Sequence, residues 1–284
     1  MSNVLDAVLA QYEKNQIGGG AQSKMSQDER MKKYFALILG DKEKSGQRRV
    51  RILPTKDGSS PFKEAWYHEI QVGGQWQKFY DPGKNDNERS PLNEVYEELM
   101  STGKDSDKEL AKQYKSRKFY IVKVIDRDNE ADGPKFWRFK HNYKNEGILD
   151  KIIPIWRNKG DITDAETGRD LIIELAKSKT PKGKEYTTVS AIMYDDPAPV
   201  HTDKDQAKAW VEDELSWTDV YSKKPVEYLE AIARGETPKW DSEKGGYVYG
   251  DESVSEETIG GAKKVSKKYE DPQADSEADT DLPF

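Results

Sequence analysis

The sequence predicts a β-rich α+β protein: a small antiparallel barrel with helical additions, followed by a disordered acidic tail. Three observations predict it. Seven short segments are rich in β-branched and aromatic residues and bounded by turn chemistry. Between them lie segments with apolar residues at three and four spacing. The terminal stretch carries Glu270, Asp271, Asp275, Glu277, Asp279 and Asp281 without a base, and such a run cannot bury enough apolar surface to order itself.

In chain order, residues 1–24 read as an N-terminal arm. Val4, Leu5, Val8, Leu9 and Tyr12 share one helical face, and Gly18-Gly19-Gly20 ends the pattern. A helix this short is marginal alone in water, so it orders against the body or through self-association. Residues 25–240 form the compact core. Its strands are expected at Arg48–Leu53, Ala65–Val72, Gln75–Tyr80, Lys118–Ile125, Lys135–Lys140, Asp170–Ala176 and Tyr186–Tyr194. Turns fall at Lys56-Asp57-Gly58, Gly73-Gly74, Asp132-Gly133-Pro134 and Pro181-Lys182-Gly183. Helices are expected over Ser90–Lys115 with a break at Gly103, then over Ile148–Trp156, Lys204–Leu215 and Pro225–Arg234. Residues 241–284 read as a flexible linker and acidic tail.

Composition narrows the chemistry. The 284 residues carry a formal net charge of −7, and setting aside the six tail acids leaves the body near neutral. There is no cysteine, which excludes disulfides, thiolate metal sites and cysteine nucleophiles. His68, His141 and His201 lie far apart, with no metalloprotease motif, phosphate-cradling glycine loop or nucleophile elbow. No signal-peptide pattern and no apolar run of bilayer length is present, so a soluble cytoplasmic protein without a cofactor is expected.

The densest constellation is Lys112–Lys144, where ten bases face four acids and seven aromatic side chains are interleaved. Alternation buries one face of each strand, and the other can present rings and cations together. Rings offer stacking surfaces for unpaired bases, and cations neutralise phosphates. Single strands are favoured over duplex because base faces are available only when unstacked. The expected stacking residues are Phe119, Tyr120, Trp137 and Tyr143, and the expected phosphate contacts are Arg117, Lys118, Arg138, Lys140 and Lys144. A second basic patch places Arg49 and Arg51 on one face of their strand.

These residues resemble the single-stranded DNA-binding, helix-destabilising protein of T-even bacteriophages. The resemblance rests on Arg49-Val50-Arg51-Ile52-Leu53-Pro54-Thr55-Lys56, His68, Gly74 to Trp76, Ser90-Pro91-Leu92-Asn93, Lys135-Phe136-Trp137-Arg138-Phe139, Leu149-Asp150-Lys151-Ile152 and Ser190-Ala191-Ile192, colinear over about half the chain. It implies an OB-fold core with single-stranded DNA in its cleft, cooperative self-association on DNA, and a tail that recruits replication and recombination proteins. It also implies a non-enzymatic role in phage DNA replication, recombination and repair inside the infected host cell. By position, Arg51 and Trp137 match DNA-contacting residues, Trp76 matches a cleft aromatic, and Phe119 and Tyr186 fall beside such positions.

Two departures alter the expectation. The family holds zinc through one histidine and three cysteines, but the cysteine positions read here as Asp81, Ser90 and Asn93, so no metal is expected. The basic start of the family is replaced by Met1-Ser2-Asn3-Val4-Leu5-Asp6. The last residues, Asp281-Leu282-Pro283-Phe284 with Asp279 nearby, resemble instead the partner-docking tip of bacterial single-stranded DNA-binding proteins. Three rival readings stay open: an RNA-binding regulator on the same fold, a metal-dependent nuclease, and an adaptor acting through its tail.

Overall fold

The computed structural model describes residues 25–40, 42–180, 183, 185–241 and 246–249. The N-terminal arm and the tail with Asp279, Asp281, Leu282, Pro283 and Phe284 lie outside the described residues.

The chain enters through α1 (Gln27–Lys32), whose Ser26 and Glu29 form a reciprocal cap, and β1 (Tyr34–Phe35). Strands β2 (Ser45–Ile52), β3 (Lys63–Val72) and β4 (Gln75–Tyr80) follow. The β3–β4 connection is Gly73-Gly74, both at positive φ, the backbone that a tight hairpin turn demands. Three helices come next: α2 (Pro82–Asp86), α3 (Pro91–Ser101) and α4 (Asp105–Tyr114). Asp81 caps α2 through its side chain, and Pro91 opens α3 where a missing N–H costs nothing. The long β5 (Ser116–Asp126), β6 (Pro134–Lys140), α5 (Ile148–Lys159), β7 (Leu171–Lys179) and β8 (Glu185–Tyr194) complete the sheet region. Helices α6 (Lys204–Val211), α7 (Trp217–Val220) and α8 (Val226–Ala233) close the body, with a small hairpin of β9 (Lys239–Asp241) and β10 (Gly246–Val248). That hairpin extends the folded body past the boundary expected at residue 240; Tyr247 packs edge-on against Tyr228, 4.7 Å between centroids.

The eight strands form one mixed sheet in the order β1-β6-β5-β2-β7-β8, with β3 and β4 attached through β5. All pairings are antiparallel except β1 with β6. The expected closed ladder is not formed: among the described residues the sheet is open. A substitute spans the gap. From β1, beside β6, the chain runs to Leu39, whose N–H donates to Thr187 Oγ1 of β8 at 3.3 Å. Leu37 and Leu39 join the interior core with Val50, Ile52, Val122, Val124, Trp137, Phe139 and Ile173.

Strand β5 is buried on both faces. Val122 and Val124 enter that interior core, whereas Phe119 and Ile121 pack outward with Tyr67, Tyr80, Val220 and Tyr221. The segment around α7 thus roofs the outer face. A third cluster joins Ile70, Val72 and Phe79 to Leu92 of α3 and to Leu229 and Ile232 of α8. No helix among the described residues is long and apolar enough to cross a membrane.

Candidate nucleic-acid interface

Register divides the sequence-predicted site between two faces. Trp66 pairs with Lys118 and Glu64 with Tyr120 across β3 and β5, while Tyr120 pairs with Phe139 across β5 and β6. Alternation puts these on one face, continued by His141. The opposite face carries Glu69, Arg117 and Lys140, and the β3–β4 register adds Trp76 and Lys78.

On the first face the rings form a connected row. Trp156 of α5 lies 6.1 Å from Phe62, and Phe62 lies 6.2 Å from Phe139. Phe139 is 5.8 Å from Tyr120, which is 5.6 Å from His141, and His141 is 4.3 Å from Tyr143. The Tyr120 hydroxyl and His141 Nδ1 are hydrogen-bonded at 3.2 Å, fixing both rings. Phe139 is buried beneath the row, Tyr120 is half-buried, and Tyr143 is 72% exposed in a turn. Cations flank the rings. Lys84 Nζ sits 4.1 Å over Trp66 and Lys118 Nζ 5.9 Å from the same ring. Lys63, whose Nζ reaches Ser59, follows Phe62 in the chain, and the exposed Lys144 follows Tyr143. Lys118 is hydrogen-bonded to Glu64, which raises its pKa and keeps it charged. An exposed pair of this kind contributes little to stability, so a phosphate can replace the carboxylate at small cost.

On the second face Arg117 and Lys140 share Glu69, at 3.3 and 2.8 Å, beside Trp76, which is 44% exposed. Burial alone would raise the Glu69 carboxyl, but Lys140, Lys78 and Arg117 hold it low. Arg49 is exposed and paired with Asp195 at 3.0 Å, and Tyr186 is half-buried near the β7–β8 turn. These residues do not join the aromatic row.

Four expected contacts are corrected. Phe119 and Trp137 are core residues, at 0% and 1% exposure, and neither offers a face for stacking. Arg51 is wholly buried because β2 pairs on both edges and the 161–170 loop covers it. Its guanidinium binds Asp170 at 3.0 Å and donates to the carbonyls of Asp164 and Ala198. Arg138 is buried too, stacked 4.3 Å from the Tyr221 ring and 4.8 Å from the Tyr67 ring. The row instead joins Phe62, His141 and Trp156, with Trp66 on the same face beneath Lys84 and Lys118. In the sequence these are single rings, one beside Pro61, one on a strand, one just past a strand and one on a helix, and only the tertiary fold brings them to one face.

His68, Asp81, Ser90 and Asn93, distant in sequence, converge in the fold. His68 and Asp81 are fully buried, with His68 Nε2 facing Asp81 Oδ2 at 3.6 Å. Asn93 Nδ2 donates to Asp81 Oδ1 at 2.8 Å, and the Gly83 N–H donates to the same oxygen at 2.9 Å. A Cβ on Gly83 would meet Asn93 Nδ2 at 2.8 Å and Ser90 Cβ at 3.1 Å, so a side chain there would press Asn93 away from Asp81. One imidazole with hard oxygen donors, one of them already spent, does not fit a thiolate-type zinc site. Among the described residues no group of three or more histidine, aspartate or glutamate side chains is placed to hold a metal.

This polar lock carries a pH prediction. Burial alone would raise the Asp81 carboxyl, yet the adjoining His68 and Ser116 side chains and the hydrogen bond from Asn93 hold it well below the usual carboxylate range. A depressed folded-state pKa contributes stability that is complete above the unfolded value of about 4 and is lost as pH falls below it. Asp81→Asn is expected to cost about 2 kcal/mol at neutral pH and to flatten the acid limb of stability. Urea midpoints of both proteins between pH 7 and 3 check this; parallel curves would sink it.

Comparison with protein-family models and with curated proteins gives no match for this chain.

Proposed function

We propose that the chain is a sequence-tolerant single-stranded DNA-binding protein, acting by coating rather than by catalysis. The observation that carries this reading is the row Trp156, Phe62, Tyr120, His141 and Tyr143 flanked by Lys63, Lys84, Lys118 and Lys144. Stacking on such a row serves any base, because every base has a π-face, and the lysines follow the backbone between them. The sheet supports the same reading. Strands β2, β5, β6 and β7 line one interior core with β8 packed against it, as strands of an OB-type barrel would, and Leu37–Gly40 stands in the place of a closing ladder.

In this reading DNA crosses the end of the sheet where β5 begins and β6 ends. Arg117, Lys140 and Trp76 lie on the far side of that end, where they would serve longer strands. The acidic tail, through Asp279, Asp281 and the Leu282-Pro283-Phe284 tip, would recruit replication and recombination proteins, as the family resemblance implies for phage DNA metabolism.

The test is quenching of tryptophan fluorescence by oligo-dT at two salt concentrations. Trp66 and Trp156 should be quenched, and four neutralised phosphates should give a log–log salt slope of about −3. Salt-independent binding, preference for duplex, or stronger binding of matched oligo-rU would overturn the proposal.

A further inference from the structure

The aromatic row ends at a recess whose chemistry differs from that of the row. Its lining includes Pro54, Ser59, Pro61, Trp156, Asp161 and Thr163. The β2–β3 loop on one side is held by its own hydrogen bonds. The Gly58 N–H donates to the Thr55 carbonyl at 3.2 Å, Thr55 Oγ1 to the Ser59 carbonyl at 2.6 Å, and the Ser59 N–H to Asp57 Oδ1 at 3.0 Å. Gly58 takes φ +67°, which the turn needs and a side chain would resist. This wall is therefore preorganised. At its rim Lys63 Nζ donates to Ser59 Oγ at 3.0 Å, within reach of a passing phosphate.

On the other side stands a carboxylate. Asp161 Oδ1 accepts from the Thr163 N–H at 2.9 Å and from Thr163 Oγ1 at 2.7 Å, which fixes the side chain. Its Oδ2 has no hydrogen-bond partner among the described residues, and the residue is exposed. A carboxylate is a poor neighbour for phosphate and a good acceptor for an amino group. Trp156 supplies a stacking wall beside it.

We infer that this recess takes one nucleobase of the bound strand and selects a base carrying an exocyclic amino group, read by Asp161 while the ring stacks on Trp156. A carboxylate accepts from the cytosine N4 amino group, whereas a keto oxygen at the same place meets it as acceptor against acceptor. The inference rests on the proposed single-stranded DNA binding and adds one selective position to an otherwise tolerant row.

Oligo-dC and oligo-dU, equal in length and differing at that amino or keto group, test it by titration of the full chain. Wild type should bind oligo-dC about tenfold tighter than oligo-dU. Asp161→Asn keeps an oxygen for the Thr163 bonds and places an amide N–H₂ where Oδ2 was. The preference should disappear or reverse in that variant. Equal binding of the two by wild type overturns the inference without any variant, and so does an unchanged preference in Asp161→Asn; both leave the proposed function standing. Binding of neither oligonucleotide overturns both.

Discussion

Tyr143→Ala combined with Tyr120→Leu is expected to weaken oligo-dT binding by about two orders of magnitude, at roughly 1 to 3 kcal/mol for each stacking ring lost. The two positions are chosen for different reasons. Tyr143 is 72% exposed in a turn, and among the described aromatics its ring meets only His141, so alanine there leaves the fold intact. Tyr120 packs on Phe139, and leucine preserves that contact while removing the flat surface and the bond to His141. Trp76→Ala is the matching control, since Trp76 lies on the reverse face beside Glu69 and Lys78. It should leave short oligo-dT within about twofold of wild type, well under the 1.4 kcal/mol that a tenfold change requires. Fluorescence anisotropy with a labelled strand measures all three. Loss of affinity in Trp76→Ala with none in the double variant would place the interface on the other face and sink the row.

Much of this fold was legible because local rules and tertiary context agree. The hairpin at Gly73-Gly74 follows from two residues able to hold positive φ between alternating strands, and β4 spans the expected Gln75–Tyr80. The helix break at Gly103 is real, with α3 ending at Ser101 and α4 starting at Asp105. Elements of four to six residues, such as α2 and α7, were missed because their capping side chains, Asp81 and Ser216, resemble ordinary turn residues until the chain returns to cover them.

Within the candidate region, the exposure of individual residues was misread from sequence. Period-two alternation assigns two faces to β5 but cannot say that both are buried, Val122 and Val124 inward and Phe119 and Ile121 under α7. A half-exposed strand would have presented Phe119 and Arg138 to solvent. The roof over them comes from residues 215–221, about a hundred positions later in the chain, and no local pattern announces it. Lys118 and Tyr120 stay partly exposed for the complementary reason: their face loses its cover where β5 begins.

Replacement of the buried four should therefore act on stability and leave affinity alone. Trp137→Ala and Phe119→Ala each open a cavity in a packed cluster and should cost about 3 to 5 kcal/mol, a large part of the 5 to 15 kcal/mol that holds a typical domain. Arg51→Ala should cost about 3 kcal/mol by a different route. Asp170 keeps Arg127, at 2.8 Å, but the carbonyls of Asp164 and Ala198 lose a charged donor in a site closed to water. Arg51→Met fills the same volume and should recover part of that loss, because apolar packing offsets some of what a buried charge contributes. Urea denaturation gives the stability, and titration with oligo-dT at low temperature, where each variant remains folded, gives the affinity. A lower urea midpoint with a Kd within about twofold of wild type assigns these residues to the scaffold. A Kd raised tenfold at unchanged stability would return Arg51 and Trp137 to the DNA, and would mean that the 161–170 loop opens to admit it.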